Sequence, residues 1–175
     1  NVARQVALKA GLPVEVPGET VNRVCGSGLQ AVVHAVEAVR VGYVDAIVAG
    51  GTESMSNAPY LLDGARWGYR MGDQELVDGM YRDGFFCPLA KMVMGETAEV
   101  LAEQYKISRK EQDEFALVSQ QRAAAAIGAG RFDAELVPVT LETRKGKTTF
   151  SRDEHPFLDA TIEKMAKLPP VFSKT

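Results

Sequence analysis

The first fifty residues alternate between short apolar runs and one long amphipathic stretch. Residues 20–24 and 44–49 are rich in β-branched and small apolar side chains, and glycines follow both, which predicts two strands. Between them, apolar residues at helical spacing predict a helix that Gly42 ends, and a shorter helical pattern, from Val2 to Ala10, precedes the first strand. Strand, helix and strand form a βαβ unit, which builds parallel α/β sheets and carries function at the carboxyl ends of its strands.

The pattern changes after Ser56. Residues 57–93 hold five Gly, two Pro and the only Trp without a sustained period. They predict a long ordered excursion of the kind that serves function or subunit contact. Helical spacing resumes from Met94 to Tyr105, and a Ser-x-x-Glu capping box at 108–111 predicts a second helix that runs to about Ile127.

The C-terminal part predicts a hairpin and a short helix. Apolar residues alternate from Val137 to Leu141, and a polar turn follows at 144–147, so we expect a hairpin there. Pro138 confines the first strand to an edge. Asp159 is expected to cap a helix that carries Ile162, Met165 and Ala166.

Composition places the chain among globular proteins. Of 175 residues, 46% are hydrophobic and 25% charged, and the mean hydropathy is −0.10, which excludes disordered, collagen-like and disulfide-scaffold proteins. The net charge of −3 gives no basic field to recruit nucleic acid or an anionic membrane. No apolar run approaches the ~18 residues of a membrane helix. Two cysteines are too few for a disulfide framework, so a reducing compartment is expected.

The two ends of the chain predict a piece of a longer protein. The first residues, Asn1 to Gln5, lack an initiator Met and a signal-peptide pattern, and residues 169–175 end the chain on an apolar stretch. We therefore expect the isolated chain to be inactive and poorly folded, with strands missing from the sheet of its first half.

Cys25 stands at the junction of the first predicted strand and the helix that follows. Its sulfur is expected near backbone N–H groups without a helical partner and near the positive end of the helix dipole. Such a setting favours the thiolate, the nucleophilic form of cysteine, and the same N–H groups can hold the oxyanion of a carbonyl under attack. The neighbouring glycines let another backbone or a substrate approach closely. This setting suits acyl transfer through a thioester.

Two other interpretations start from the same residues. Cys25 can be one more small buried apolar residue, as free cysteines commonly are. The run Gly26-Ser27-Gly28-Leu29-Gln30-Ala31 also matches the dinucleotide fingerprint G-x-G-x-x-A, with Asp45 about twenty residues further on. Asp45 lies near the start of the second predicted strand, however, whereas the ribose-binding acid belongs at its end.

Two segments of the chain resemble the thiolases. The nucleophile segment of that family is similar to Asn22-Arg23-Val24-Cys25-Gly26-Ser27-Gly28-Leu29-Gln30-Ala31, and the segment after its next strand is similar to Ala49-Gly50-Gly51-Thr52-Glu53-Ser54-Met55-Ser56. The similarity continues in five shorter segments, 94–99, 108–113, 130–132, 153–156 and 165–168. Among thiolases, the chain looks most like acetyl-CoA acetyltransferases and 3-ketoacyl-CoA thiolases.

The resemblance implies an α/β, thiolase-like layered fold. Thiolases have two similar halves of βαβαβ type, with an α/β loop domain inserted into the first half. Residues 1–54 would then be the later part of the N-terminal half, and residues 55–175 most of the loop domain, which binds coenzyme A and makes oligomer contacts. In this scheme the long excursion places residues 61–81 at a subunit interface.

The resemblance also implies a reaction. The Cys25 thiolate attacks the 3-keto carbon of a 3-ketoacyl-CoA, acetyl-CoA leaves, and the acyl group passes from Cys25 to a second coenzyme A; the reverse is a Claisen condensation. The proton-transfer groups of the family, a Cys and the His of a Gly-His-Pro motif, come from its second half, and this sequence contains neither motif. His155 of Glu-His-Pro belongs to the loop-domain segment and is expected to be a turn residue. His34 lies about 13 Å along the helix from Cys25 and is expected to be a polar-face residue near Glu37.

Met94 and Phe172 match family positions that line the pantetheine and adenine regions of coenzyme A. Plain core packing is an equal interpretation for both. Two departures bear on this site, since Val93 stands where many members have His, and Phe157 where many have Arg. Residues 140–175 carry seven Lys and Arg against five Asp and Glu, which suits either a polyanion or an ordinary solvated surface. Cys87 lacks the strand-to-helix setting and is expected to be structural.

Three functions are compatible with these residues. The first is a thiolase-type acyltransferase that uses coenzyme A as co-substrate, without a tightly bound cofactor or a metal. It would be a homodimer or homotetramer, without nucleic-acid or membrane partners, in the cytoplasm or in the mitochondria or peroxisomes of a eukaryote. The second is a non-catalytic relative that binds acyl-CoA or lipid. The third is a nucleotide-binding βαβ module, which predicts an affinity for NAD that is independent of Cys25.

Overall fold

The computed structural model describes residues 1–173, so the last two residues of the predicted loop segment 55–175 lie outside the described residues. The chain forms two compact units, Asn1–Phe86 and Cys87–Thr175. Both units combine helices with short strands, in keeping with the α/β prediction. The domain boundary expected after residue 54 concerns the family's segments and stays a prediction. No helix in the described part is long and apolar enough to cross a membrane.

The first unit contains two α-helices, close to the two helical patterns of the sequence. Helix α1 covers Val2–Lys9 and helix α2 covers Ser27–Arg40. The side-chain oxygen of Asn1 caps α1 by accepting a hydrogen bond from the Arg4 N–H. The Arg4 guanidinium donates to the carbonyls of residues 14 and 16, which ties α1 to the loop that follows it.

The two strands predicted on either side of α2 are not formed. Residues 20–24 and 44–49 have no strand partner within residues 1–173, and the isolated bridge near them joins Arg23 to Cys25. A strand needs a neighbouring strand to satisfy its backbone N–H and C=O groups, and apolar composition does not supply that neighbour. Val48, expected inside a sheet, is consequently 94% exposed.

The excursion is built from single turns and two-residue strands. Strand β1 (Tyr60–Leu61) pairs antiparallel with β2 (Val77–Asp78). Arg82 forms ion pairs with Asp63 at 3.0 Å and with Asp83 at 2.8 Å. The remaining short elements are the 3₁₀ turns Met55–Asn57 and Ala65–Trp67, the π turn Tyr81–Phe85 and strand β3 (Phe86–Cys87).

The second unit holds the longest helix of the described chain. Its elements are β4 (Met92–Val93), α3 (Met94–Tyr105), α4 (Arg109–Gly128), β5 (Val139–Thr143), β6 (Gly146–Phe150) and α5 (Ile162–Ala166). The capping box is confirmed, because Ser108 Oγ accepts from the Glu111 N–H while the Glu111 carboxylate accepts from the Ser108 N–H. The predicted hairpin is also confirmed, with β5 and β6 antiparallel and Thr143 opposite Gly146.

The cap predicted for the last helix is wrong. Thr161, not Asp159, caps α5 by accepting a hydrogen bond from the Lys164 N–H. Asp159 instead accepts from Lys164 Nζ, and this hydrogen bond lowers the pKa of Asp159. Hydrogen bonds from its own N–H and from Thr161 likewise lower the pKa of Glu163. Asp and Thr are both good caps, so the sequence does not decide between helix starts two residues apart.

Few apolar side chains are covered. Within residues 1–173 the buried ones are Ala7, Ala35 and Met165. The apolar face of α2 is open, from 39% exposed at Val33 to 72% exposed at Leu29. An amphipathic helix gains most of its stability when its apolar face is packed, so the described residues supply little of that stabilisation.

Candidate active-site turn

Cys25 is exposed and lies two residues before the start of α2. The N-cap position belongs to Gly26, which has no side chain to satisfy the first N–H groups of the helix. The N–H groups of Gly26 and Ser27 bond instead to carbonyls of residues 23 and 24. In the described structure the N–H groups of Gly28 and Leu29 have no hydrogen-bond partner. The unpaired N–H donors expected at the start of this helix are therefore present three and four residues after Cys25 in the described structure, and their proximity to the sulfur stays a prediction.

Val24, directly before Cys25, adopts a left-handed backbone conformation with φ of 49°. This region is unfavourable for β-branched residues. Asn22 Oδ1 accepts a hydrogen bond from the Val24 N–H at 3.0 Å. Ser27 Oγ donates to the Val24 carbonyl at 2.7 Å and accepts from the Arg23 N–H at 2.7 Å. Sequence reasoning did not assign Asn22 or Ser27, although Asn and Ser are residues that commonly close turns through their side chains.

The glycine pair after residue 49 approaches the start of α2. A Cβ added to Gly51 would lie 3.3 Å from the Cα of Gly28. The two segments that carry the family resemblance are thereby brought together, backbone against backbone. The glycine that this approach requires is Gly51, whereas the nearest atoms to a Cβ added at Gly26, directly after Cys25, all belong to Arg23 of the same turn.

The remaining histidines and cysteine have other surroundings. His34, on α2, has Nδ1 3.9 Å from Glu19 Oε1. His155 is exposed and forms no side-chain hydrogen bond or ion pair within the described chain. Cys87 is half-buried, and its Sγ accepts a hydrogen bond from the Ala90 N–H at 3.4 Å. In the residues searched, no group of three or more His, Cys, Asp and Glu is arranged to hold a metal ion.

Met94 and Phe172 are both placed at the start of α3 in the second unit, Met94 by sequence and Phe172 by its packing on Gly95. Met94 is the first residue of α3, and the Phe172 ring packs so tightly on Gly95 that an added Cβ there would overlap the ring. Both side chains remain about half exposed, at 45% for Met94 and 50% for Phe172.

Arg109 fixes the segment that leads to Phe172. Its guanidinium donates to the carbonyls of Met165 and Leu168, each at 2.9 Å, and to Asp113 Oδ1 at 2.8 Å. The end of α5 is thereby attached to the start of α4. Three residues, 169–171, then connect Leu168 to Phe172, whose ring packs on Gly95 of α3.

Several charged groups away from Cys25 are held in their ionised form. Hydrogen bonds from the Ser108 N–H and hydroxyl lower the pKa of Glu111. The hydrogen bond from Arg82 lowers the pKa of Asp83, and the same pairing raises the pKa of Arg82. These interactions stabilise a helix start and the excursion, so we assign them structural roles.

Comparison with known proteins points to one family. Residues 1–175 match the family model described as thiolase, N-terminal domain. An acetyl-CoA acetyltransferase of Pseudomonas aeruginosa is 52% identical over 175 residues, which cover 99% of this chain and 44% of the relative. A β-ketothiolase of Cupriavidus necator is 51% identical over 173 residues, with the same two shares.

Solved structures give the same result. The crystal structure of the Bacillus anthracis acetyl-CoA acetyltransferase matches with a TM-score of 0.93 and 46% identity, over 99% of this chain and 44% of that one. Human mitochondrial 3-ketoacyl-CoA thiolase matches with a TM-score of 0.91 and 44% identity, over 98% of this chain and 44% of that one. The chain thus spans less than half the length of these relatives.

Proposed function

This chain belongs to the thiolase family, and on that basis we propose that it supplies the nucleophile, Cys25, of a thiolase-type acyltransferase. The observation that carries the proposal is the setting of Cys25, which is exposed in a hydrogen-bonded turn directly before α2. Free N–H groups follow it at Gly28 and Leu29. A thiol with uncapped helix donors beside it suits attack on a carbonyl, because the donors favour the negative charge that develops on oxygen.

In the proposed reaction, the Cys25 thiolate attacks the C3 carbonyl carbon of a 3-ketoacyl-CoA. The carbonyl electron pair moves to oxygen and returns as the C2–C3 bond breaks, so C2 leaves with its electron pair as the enolate of acetyl-CoA. Protonation of C2 gives acetyl-CoA, and the shortened acyl group remains as a thioester on Cys25. A second coenzyme A loses its thiol proton and attacks this thioester, which releases the acyl-CoA and the Cys25 thiolate. The reverse sequence is a Claisen condensation of acetyl-CoA.

Both proton transfers need acid/base groups that we assign neither to His34 nor to His155. His34 Nδ1 lies 3.9 Å from Glu19 Oε1, and His155 is exposed in an irregular segment of the second unit. By the family resemblance, these groups belong to a Cys and a Gly-His-Pro motif that the 175 residues do not contain. The proposed contribution of this chain is therefore the nucleophile and the N–H donors beside it.

Coenzyme A is proposed to act as a co-substrate, with no tightly bound cofactor, and to contact Met94 and Phe172. A thioether and an aromatic ring suit the apolar parts of pantetheine and adenine. This proposal is supported by the position of the two half-exposed side chains. Met94 begins α3, and the Phe172 ring packs on Gly95 in the same turn. In this proposal residues 55–175 form most of the loop domain, and residues 1–54 the later part of the N-terminal half.

The assembly is proposed to be a homodimer or homotetramer with contacts from the excursion. Trp67 and Met71, both within residues 61–81, are 88% and 95% exposed. Large apolar side chains that project from an ordered segment are typical of residues covered by a partner. The proposed compartment is the cytoplasm, or mitochondria or peroxisomes in a eukaryote.

Acylation of the full-length protein tests the function. Incubation with a 3-ketoacyl-CoA is expected to leave an acyl group on Cys25, seen by mass spectrometry, and Cys25→Ala is expected to abolish thiolysis while Cys87→Ala retains it. Iodoacetamide should modify Cys25 faster than Cys87. Thiolysis by Cys25→Ala, or equal alkylation rates, would contradict the assignment. Tight acyl-CoA binding without turnover would identify a non-catalytic relative, and NAD binding that survives Cys25→Ala would identify a nucleotide-binding module.

A further inference from the structure

Ser27 joins the first turn of α2 to the backbone that precedes Cys25. Its Oγ accepts a hydrogen bond from the Arg23 N–H and donates one to the Val24 carbonyl, both at 2.7 Å. Within residues 1–173 no other side chain bonds to the backbone of both residues before Cys25. One hydroxyl therefore closes the turn that contains the nucleophile.

The backbone that Ser27 holds would not keep this conformation unaided. Val24 has φ of 49°, which costs a β-branched residue free energy, and strain of this kind persists only where surrounding interactions determine it. The Val24 side chain is 65% exposed, so packing does not hold it. The side-chain interactions that remain are the hydrogen bond that Asn22 Oδ1 accepts from the Val24 N–H and the one that Ser27 Oγ donates to the Val24 carbonyl.

We propose that Ser27 is the positioning residue for Cys25. Its two hydrogen bonds hold Val24 in the left-handed conformation and thereby fix the Cys25 backbone relative to the free N–H groups of Gly28 and Leu29. Ser27 takes no proton and touches no reacting atom in this role. The inference rests on the proposed nucleophilic function of Cys25. In it, Ser27 determines how accurately the Cys25 sulfur is placed for attack on a carbonyl carbon. A misplacement of about 1 Å can slow a reaction by about a hundredfold.

The structure makes Ser27→Ala a selective change. The Ser27 backbone N–H also donates to the Val24 carbonyl, at 3.1 Å, and this bond survives the substitution. The Arg23 N–H loses its partner but lies where water can replace it, since residues 22–26 are exposed or half-exposed. The variant should therefore fold, and its effect should fall on the Cys25 rate rather than on stability.

The test uses the full-length protein with three serine variants. Ser27→Ala removes the hydroxyl, Ser27→Thr keeps it, and Ser119→Ala makes the same change at an exposed position in the middle of α4. We expect Ser27→Ala to slow single-turnover acylation of Cys25 about tenfold or more, with the KM for coenzyme A within about twofold of the wild type. Alkylation of Cys25 by iodoacetamide should slow in parallel, with Cys87 as internal reference. Ser27→Thr should recover most of both rates, and Ser119→Ala should keep them.

Each result decides the inference. A wild-type acylation rate per folded molecule in Ser27→Ala, with only a lower melting temperature, would overturn it. If Ser27→Thr is also slow, the acylation rate of Asn22→Ala decides whether the Val24 conformation controls Cys25. Asn22 Oδ1 accepts from the Val24 N–H, whereas Ser27 Oγ donates to the Val24 carbonyl. Slow acylation in Asn22→Ala supports control by the Val24 conformation, and a wild-type acylation rate in Asn22→Ala overturns the inference. If the wild type forms no acyl-enzyme, the proposed function fails, while the alkylation rates still test Ser27.

Discussion

Gly51 packs its backbone against Gly28 at the start of α2, where a Cβ added to Gly51 would lie 3.3 Å from the Gly28 Cα. The approach is asymmetric, since a Cβ on Gly28 would lie 3.9 Å from the Gly51 Cα, an ordinary van der Waals distance. The need for glycine is therefore concentrated at Gly51. The contact holds residues 49–51 beside the turn that carries Cys25.

Gly51→Ala is expected to destabilise the full-length protein by about 1 kcal/mol or more, because the opposing atoms are backbone and cannot move aside as a flexible side chain would. Gly50→Ala is the matched control, since the described atoms leave open space around an added Cβ there. Its effect should stay within about 0.5 kcal/mol. Urea unfolding of both variants measures the difference, and equal losses would contradict the close approach.

Gly95→Ala is expected to displace the Phe172 ring, which an added Cβ would overlap. If Phe172 contacts coenzyme A, the KM for coenzyme A should rise several-fold, while the alkylation rate of Cys25 stays unchanged. The KM for coenzyme A of the double variant Gly95→Ala/Phe172→Ala should be no higher than that of Phe172→Ala alone. Both changes act on the same Phe172 ring position, so their effects should not add. Gly128→Ala, with open space around its Cβ, is the control. Additive effects on KM in the double variant would show that Gly95→Ala does not act through the Phe172 ring.

Arg109→Ala is expected to cost about 2 kcal/mol of unfolding free energy. It removes hydrogen bonds to two carbonyls of the α5 end and leaves Asp113, whose side chain is 14% exposed, without its cation. Lys110→Ala provides a neighbouring comparison, because it removes only the exposed pair with Glu114, at 3.7 Å. That loss should be about 0.5 kcal/mol or less. Chemical denaturation that finds equal losses would show that the α4–α5 attachment is unimportant.

Glu111→Gln is expected to weaken the start of α4 in a pH-dependent way. Hydrogen bonds from Ser108 lower the pKa of Glu111 in the folded protein, so its stabilising effect is complete above the ordinary value of 4.5 and disappears as the pH falls through the lower folded value. The difference in unfolding midpoint between wild type and Glu111→Gln should therefore shrink on acidification. In a Ser108→Ala background the hydroxyl is lost but the backbone N–H at position 108 still donates to Glu111, so the difference should become smaller at neutral pH without disappearing. A difference that grows in acid would reverse the assigned direction.

The isolated 175-residue chain is expected to unfold without a cooperative transition. Ala7, Ala35 and Met165 are the buried apolar residues of its described part, and the apolar face of α2 is open. Such surface should bind a hydrophobic dye, and the near-ultraviolet circular dichroism should be weak. A sharp thermal transition together with thiolysis by this chain alone would contradict the expectation.

Elements specified by residues close in sequence were predicted well. Helix α4 follows from Ser108 and Glu111, which lie three residues apart and bond to each other as the capping box requires. The strands at 20–24 and 44–49 failed because their hydrogen-bond partners would have to come from distant segments. The cap of α5 failed because Asp159 and Thr161 are both suitable.

The candidate site was predicted in part. The place of Cys25 before a helix follows from the local pattern, whereas the close approach of Gly51 to Gly28 joins distant positions and was not predicted. The left-handed conformation of Val24 could not be predicted, because β-branched residues favour extended backbone. The packing of Phe172 on Gly95 joins residues 77 positions apart, and no periodicity connects them.

The attachment of Arg109 to the end of α5 also affects the position of Phe172, which Arg109 does not contact. Arg109 bonds to the carbonyl of Leu168, and the ring of Phe172 packs on Gly95. Two of the residues between them are Pro169 and Pro170, whose rings restrict the backbone. Because the connection has three residues and two of them are prolines, a displacement of Leu168 is expected to move Phe172. Substitutions chosen to tighten or loosen the α4–α5 junction for thermal stability are therefore expected to shift the aromatic ring at the start of α3 as well. If Phe172 contacts coenzyme A as proposed, such substitutions will change heat tolerance and coenzyme affinity together.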